Sequence, residues 1–344
     1  MNSLEERPAG VAGWRPARTC PPGAGGGRPV LRAEDPAPIL KRVGLARRLG
    51  LLLLTLVAFP AHAALNVFAT VPEWGALAQE IGGKQVSVFV ATTGLQDPHR
   101  IEAKPSLIAR ARNAELLVAT GAELEVGWLP VVLRDSGNPR IQPGQPGHFE
   151  AARAVTMLEV PLRLDRAEGD IHAAGNPHIQ TDPRNILRVG EALAGRMAAV
   201  DPANGAAYQA GFKAFADKWK AALLRWEAAA APLRGLPILV QHKGFPYLEQ
   251  WLGLKQVGAL EPKPGMEPTS GHLTALVARL QKEPARMVIR AAYQNDRASR
   301  WMAEQARIPA VALPFTVGGS PEAKDLVSLF DATLRRLLAA LRPA

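Results

Sequence analysis

One run of helical periodicity, from Pro202 to Ala231, constrains this chain more than any other feature. About 30 residues at 1.5 Å each make a rod of roughly 45 Å, long enough to cross a whole domain. Asp201-Pro202 supplies an N-cap followed by proline at the first helical position, and Pro232 with Gly235-Leu236-Pro237 ends the run. The residues on either side follow a different rhythm. Before it, Leu65–Thr70, Val86–Val90 and Glu115–Ala119 read as strands, with helices at Trp74–Ile81, from Pro105 to Arg112, and over Asn185–Val200. After it, Ile238–Val240, Arg286–Ala291 and Ala310–Leu313 read as strands among helices at Pro246–Leu252, Thr269–Gln281, Asp296–Ala306 and Lys324–Leu341.

Short strands alternating with helices of about ten residues predict parallel sheets. The expected fold class is α/β, with two Rossmann-like lobes, each holding a mostly parallel sheet, joined by one long backbone helix. The boundaries read as 64–200 for the first lobe, 201–235 for the linking helix and 236–344 for the second lobe. A site would form in the cleft between such lobes.

The net charge of +10 on 344 residues invites a nucleic-acid reading, but its distribution argues against one. Residues 1–63 carry nine Lys and Arg against four Asp and Glu, so half of the excess lies in the first fifth of the chain. There, Lys41, Arg42, Arg47 and Arg48 precede an apolar run from Leu49 to Phe59 that exits through Ala61-His62-Ala63. A basic flank, a short apolar core and a small-residue exit describe a signal peptide over 43–63. The run is too short to span a membrane, and no later stretch is long enough. Residues 1–42 are rich in Gly, Pro and Arg without periodicity, and read as a disordered extension or an over-called start, with the initiator near Val43. The only cysteine, Cys20, lies in that segment, so any metal site in the mature chain must use nitrogen and oxygen ligands. No cysteine follows Ala63, and the expectation is a Sec-type exported, soluble protein that is not a lipoprotein.

Six histidines follow the leader: His99, His148, His172, His178, His242 and His272. Three share a context. His99 and His242 lie in loops after strands, and His178 lies in a Gly/Asn/Pro turn before a helix. Ligands of open α/β sheets bind outside the carboxyl ends of strands, so two loops from one lobe and one from the other could meet across a cleft. Three imidazoles on one ion suit zinc, whereas manganese and magnesium prefer more oxygens. His148 in a Pro-Gly-His turn reads as exposed, and His272 after Ser270-Gly271 as a helix-start residue.

The local motifs add to this. Asp97-Pro98-His99 with Glu102 and Pro105-Ser106, Asn176-Pro177-His178 through Asp182-Pro183, and His242 after Ile238-Leu239-Val240 together resemble the three ligand loops of bacterial zinc and manganese solute-binding proteins of ABC uptake systems. The resemblance covers about residues 64–344 and includes the long helix. It implies that His99, His178 and His242 are metal ligands, that the cargo is Zn²⁺ rather than Mn²⁺, and that the partners are a permease and its ATPase. It also implies a periplasmic location, a monomer and no bond chemistry. The chain departs from the family at the last strand-loop, where an acidic ligand often stands and this sequence reads Leu313-Pro314-Phe315-Thr316-Val317-Gly318-Gly319. A fourth or accessory ligand could come from His172, Glu102, Asp296 or Asp325, or from water. A His-rich acidic loop, common in zinc members, is absent.

Two other readings fit three protein ligands with an open fourth position. One is a zinc-dependent hydrolase, against which stand the lack of an H-E-x-x-H helix and of a carboxylate placed as general base. The other is a manganese-binding protein or metallochaperone of the same fold. Metal capture is expected to weaken below about pH 6, since imidazoles coordinate only when neutral.

Overall fold

Alternation of side chains along each strand decides how this molecule is layered. The computed structural model describes residues 63–163, 169 and 172–342. In β1 (Leu65–Ala69), Val67 and Ala69 join a large shared core while Phe68 joins a smaller outer one. After α1 (Pro72–Gly82), β2 (Val86–Val90) and α2 (Pro105–Arg112), β3 (Leu116–Ala119) repeats the division: Leu116 and Val118 enter the shared core, Leu117 and Ala119 the outer one. Then come α3 (Leu129–Ser136) and β4 (His148–Glu150). A parallel sheet buried on both faces needs apolar side chains on both, which is why these strands read as nearly continuous apolar runs.

Two helices follow without a strand, α4 (Pro183–Val200) and α5 (Gly205–Ala229). The second half then repeats the plan with β5 (Pro237–Val240), α6 (Pro246–Leu252), β6 (Lys255–Ala259), α7 (Ser270–Leu280), β7 (Met287–Ala291), α8 (Arg297–Ala306), β8 (Ala310–Leu313) and α9 (Leu326–Ala339). The first sheet has strand order β2-β1-β3-β4 and the second β6-β5-β7-β8. Every pairing is parallel, so the same four-strand topology occurs twice. The α/β class with two parallel sheets is as the sequence predicts.

The two halves share one apolar cluster, which includes Trp74 and Ile179 from the first and Val240, Phe245 and Phe330 from the second. Helix α5 packs into it with Trp219 and Trp226, both buried. Their indoles also need polar partners. Trp219 Nε1 donates to Pro183 O at 2.8 Å, at the start of α4, and Trp226 Nε1 donates to Asp331 Oδ1 at 2.7 Å, on α9. Phe330 completes the contact, its ring 5.6 Å from Trp219 and 5.2 Å from Trp226. Helix α5 therefore touches helices from both halves, and the described residues form one compact unit.

The helix is shorter than its periodicity suggests. Residues Pro202–Asn204 form a 3₁₀ turn, and α5 proper has 25 residues, or about 38 Å. Asp201 does not cap it; its carboxylate accepts instead from Tyr208 Oη at 2.6 Å and Asn204 Nδ2 at 2.8 Å. By contrast Asp182 does cap α4, accepting from the Arg184 N–H at 2.8 Å. Among the described residues no helix is long and apolar enough to cross a membrane. The expectations for residues 1–42 and for the leader up to His62 lie outside the described residues.

Candidate metal centre

Two of the three histidine loops are built alike. In Asp97-Pro98-His99 and in Asn176-Pro177-His178, the Asx side chain accepts a hydrogen bond from the histidine's own backbone N–H, at 3.0 and 3.1 Å. The intervening proline fixes its φ near −65°, so little further ordering is needed for the Asx oxygen to meet the amide two residues on. Neighbouring elements pin each loop. Trp128 Nε1 donates to Pro98 O at 3.0 Å, Asn185 Nδ2 to Ile179 O at 3.1 Å, and Asn176 Nδ2 to Lys243 O at 2.7 Å. The last bond ties the second loop to the third.

His242 is held differently. It lies two residues past β5, and its Nδ1 is 2.7 Å from Glu261 Oε2, in the turn that follows β6. No Asx residue precedes it at the matching position, where the sequence reads Val240-Gln241-His242.

These loops bring His99, His178 and His242 together, with one ring nitrogen of each within 4.8 Å of the others. His99 Nε2 and His178 Nε2 are 3.4 Å apart. Two ligands of a tetrahedral zinc at 2.0–2.1 Å are separated by about 3.3 Å, so this pair already has coordination spacing. His172 lies against the cluster, its ring stacked on His99 with centroids 5.3 Å apart and planes at 27°. A cavity of about 260 Å³ opens beside His172, His178 and His242, and another of about 200 Å³ beside Asp97, His99 and Glu261.

Burial sets the proton chemistry. His178 is 1% exposed, and desolvation, followed by the neighbouring His99, His242 and His172, holds its pKa well below the usual imidazole range. Desolvation, then His172, His242 and Arg100, pushes His99 down to about 3. A buried imidazole resists the charged form, and a cluster of them resists it more. His99 and His178 are thus neutral at any ordinary pH, as coordination requires. The expected loss of binding below about pH 6 does not apply to these two rings.

The remaining candidates are spread out. Glu102 is exposed and lies 3.9 Å from Lys104 Nζ. Asp296 pairs with Arg300 at 3.0 Å and Arg290 at 3.9 Å at the start of α8. Asp325 caps α9 in a reciprocal box with Ser328. None of these three joins the cluster, whereas His172 borders it. The loop after β8, where an acidic side chain was noted as missing, places Phe315 there instead, its ring 5.2 Å from that of His178. Phe315 has φ of 61°, a strained value for a bulky residue. His148 bonds Ile141 O through Nδ1 at 2.9 Å, and His272 bonds Ala259 O through Nε2 at 2.9 Å.

Glu261 is the residue that sequence reasoning missed, because β6 is polar and Leu260-Glu261-Pro262 reads as the start of a crossover. No local signal marked it, because Glu261 reaches His242 only through the pairing of β5 with β6.

Two matching parallel sheets share one core, and loops of both halves bring three imidazoles together. Residues 67–340 match the family of periplasmic zinc-uptake complex component A. The chain belongs to this family of metal-binding ABC-transporter substrate-binding proteins, which work with a permease and an ATPase and are not enzymes. The hydrolase reading falls with that. It is 22% identical over 269 residues to a manganese ABC transporter substrate-binding lipoprotein of Streptococcus gordonii, covering 76% of this chain and 83% of that one. It is 21% identical over 226 residues to a zinc-binding lipoprotein of Streptococcus pneumoniae, covering 64% of this chain and 44% of that one. A crystal structure of ZnuA superposes with a TM-score of 0.67 at 23% identity, covering 81% of this chain and all of the other, which shows the shared fold.

These relatives correct one expectation. Both streptococcal proteins are named lipoproteins, so the reading of this chain as a free protein without a lipid is withdrawn. That reading rested on the residue after an assumed cleavage point in a leader almost wholly outside the described residues, and on no packing or chemistry of the folded part.

Proposed function

We propose that this protein captures Zn²⁺ between His99, His178 and His242 and hands it to its permease as a monomer. In this reading residues 64–200 and 236–344 act as the two metal-binding lobes, with 201–235 between them. The observation that carries it is a cluster of three imidazoles, with no carboxylate among its members, drawn from loops of both sheets. Nitrogen ligands in a small tetrahedral set suit zinc, while Mn²⁺ favours more oxygen ligands and a higher coordination number. The manganese reading draws on the streptococcal relative named for that ion. His172 serves as an accessory residue at the rim, and water completes the ion's coordination.

Metal-stripped protein, titrated separately with Zn²⁺ and Mn²⁺ against a chromophoric chelator, tests this. Zinc should bind one per chain and at least about 100-fold more tightly than manganese. Equal affinities, or tighter Mn²⁺, would overturn the choice of ion. His242→Ala should weaken zinc by well over tenfold, since it removes one of three protein ligands.

A further inference from the structure

The contact between His242 and Glu261 goes beyond a side-chain pairing. The side chains of both residues are only 13% exposed, and the 2.7 Å separation leaves no room for water between them. Glu261 Oε2 also accepts from the Gly265 N–H at 2.8 Å. An oxygen already accepting in this way faces the imidazole, so His242 Nδ1 is the donor and Nε2 is the nitrogen left for an ion. The backbone fixes the carboxylate: Glu261 N donates to Gln241 O at 3.0 Å, beside the histidine it serves. The brace then crosses to the other half of the molecule. Gly265 O accepts from Arg100 at 3.2 Å, and Arg100 directly follows His99.

We propose that Glu261 is the positioning residue of the metal site: it selects the His242 tautomer that presents Nε2 to the ion, and through Gly265 and Arg100 it ties that ring to the loop bearing His99. The contrast with His178 supports the role, because His178 Nδ1 is buried without a hydrogen-bond partner among the described residues. Of these two rings, only His242 is fixed by a carboxylate from behind. Carboxylates in this position hold ring orientation and raise ligand basicity, and their loss typically costs 10–100-fold in metal affinity. The inference rests on the assignment of His242 as a ligand.

Zinc affinity, measured by chelator competition on the full-length folded chain, should fall by about 10–100-fold in Glu261→Ala. Glu261→Gln, whose amide oxygen still accepts, should lose less. Nitrogen-15 NMR of the zinc-loaded protein should show a His242 Nδ1 proton in the wild type and in Glu261→Gln, but a signal lost or shifted in Glu261→Ala. A merely structural carboxylate would leave that signal unmoved. A loss below tenfold in Glu261→Ala, or an unchanged His242 signal, overturns the proposal. Should that variant not fold, Glu261→Met, which keeps the volume without a strong acceptor, carries the same two readings. His242→Ala separates this from the broader reading: wild-type affinity there removes the ligand assignment itself, whereas a loss there with none in Glu261→Ala removes only the role of Glu261.

Discussion

The first half of the molecule holds its histidines by their backbone, and the second half holds its histidine by the ring. In the first, an Asx-Pro-His turn locks the main chain and leaves the ring to packing: His99 lies beside His172, and His178 against Phe315. In the second, the main chain simply leaves β5 and Glu261 orients the imidazole. The two devices differ in what they specify. A turn fixes where a side chain starts, and burial then keeps it neutral. A carboxylate fixes which nitrogen points inward. A site assembled from both has two rings prepaid in desolvation and one prepaid in orientation.

The largest effect expected from breaking this comparison is at His178, the most buried of the three. His178→Ala should reduce zinc affinity by about 100-fold or more, read by chelator competition, because a ligand is lost and the void beside Phe315 admits water. A loss under tenfold would mean that His178 packs the cleft without coordinating.

Removing the turn in place of the ring should cost less. Asn176→Ala deletes the Asx acceptor and the bond from Nδ2 to Lys243 O that reaches the third loop. A drop of about tenfold is expected, with the metal stoichiometry unchanged. If Asn176→Ala weakened binding as much as His178→Ala, the turn and the ring would have to be counted as one unit.

The smallest effects concern stability and have opposite signs in two buried places. His99 and His178 have folded pKa values below the unfolded imidazole value of about 6.5. Their contribution to the metal-free protein is therefore present above about pH 6.5 and is lost as pH falls, toward about 3 for His99. Glu73, on α1, is buried and bonded to Thr316 of the other half, and burial raises its pKa from 4.5 to about 7, with Glu125 adding to the rise. Its contribution is present below pH 4.5 and is lost as pH rises through about 7. Thermal melts of the metal-free protein should thus fall on both sides of a maximum. Glu73→Gln should flatten only the high-pH side of that maximum, by about 1 kcal/mol per pH unit between about pH 4.5 and 7, with little change above 7. A variant whose high-pH limb matched the wild type would remove Glu73 from this account.

Much of the plan could be read from residues. Six of the eight described strands carry mostly apolar side chains at successive positions, the central ones because both of their faces are buried, and that pattern survives in the one-dimensional string. The two strands that escaped, His148-Phe149-Glu150 and Lys255-Gln256-Val257-Gly258-Ala259, are each one of their sheet's two edge strands, and their polar residues and glycine look like a loop. The opposite edges, β2 and β8, keep apolar runs and stay legible. Helix α3 escaped because it is short and starts with a proline near its first turn. The three histidines were legible because proline and Asx leave a local signature around two of them. Glu261 was not, since its role depends on β5 and β6 lying side by side, and pairing of strands 18 residues apart leaves no mark in either segment.

The central claim is that one ion sits between three imidazoles drawn from both sheets. Crystals of the zinc-loaded protein, measured on both sides of the zinc absorption edge, address it directly. The account predicts a single anomalous peak at about 2.0–2.1 Å from a nitrogen of each of His99, His178 and His242, with Nε2 as the nitrogen from His242. A peak bound through His242 Nδ1, or one lying away from these rings, would contradict it.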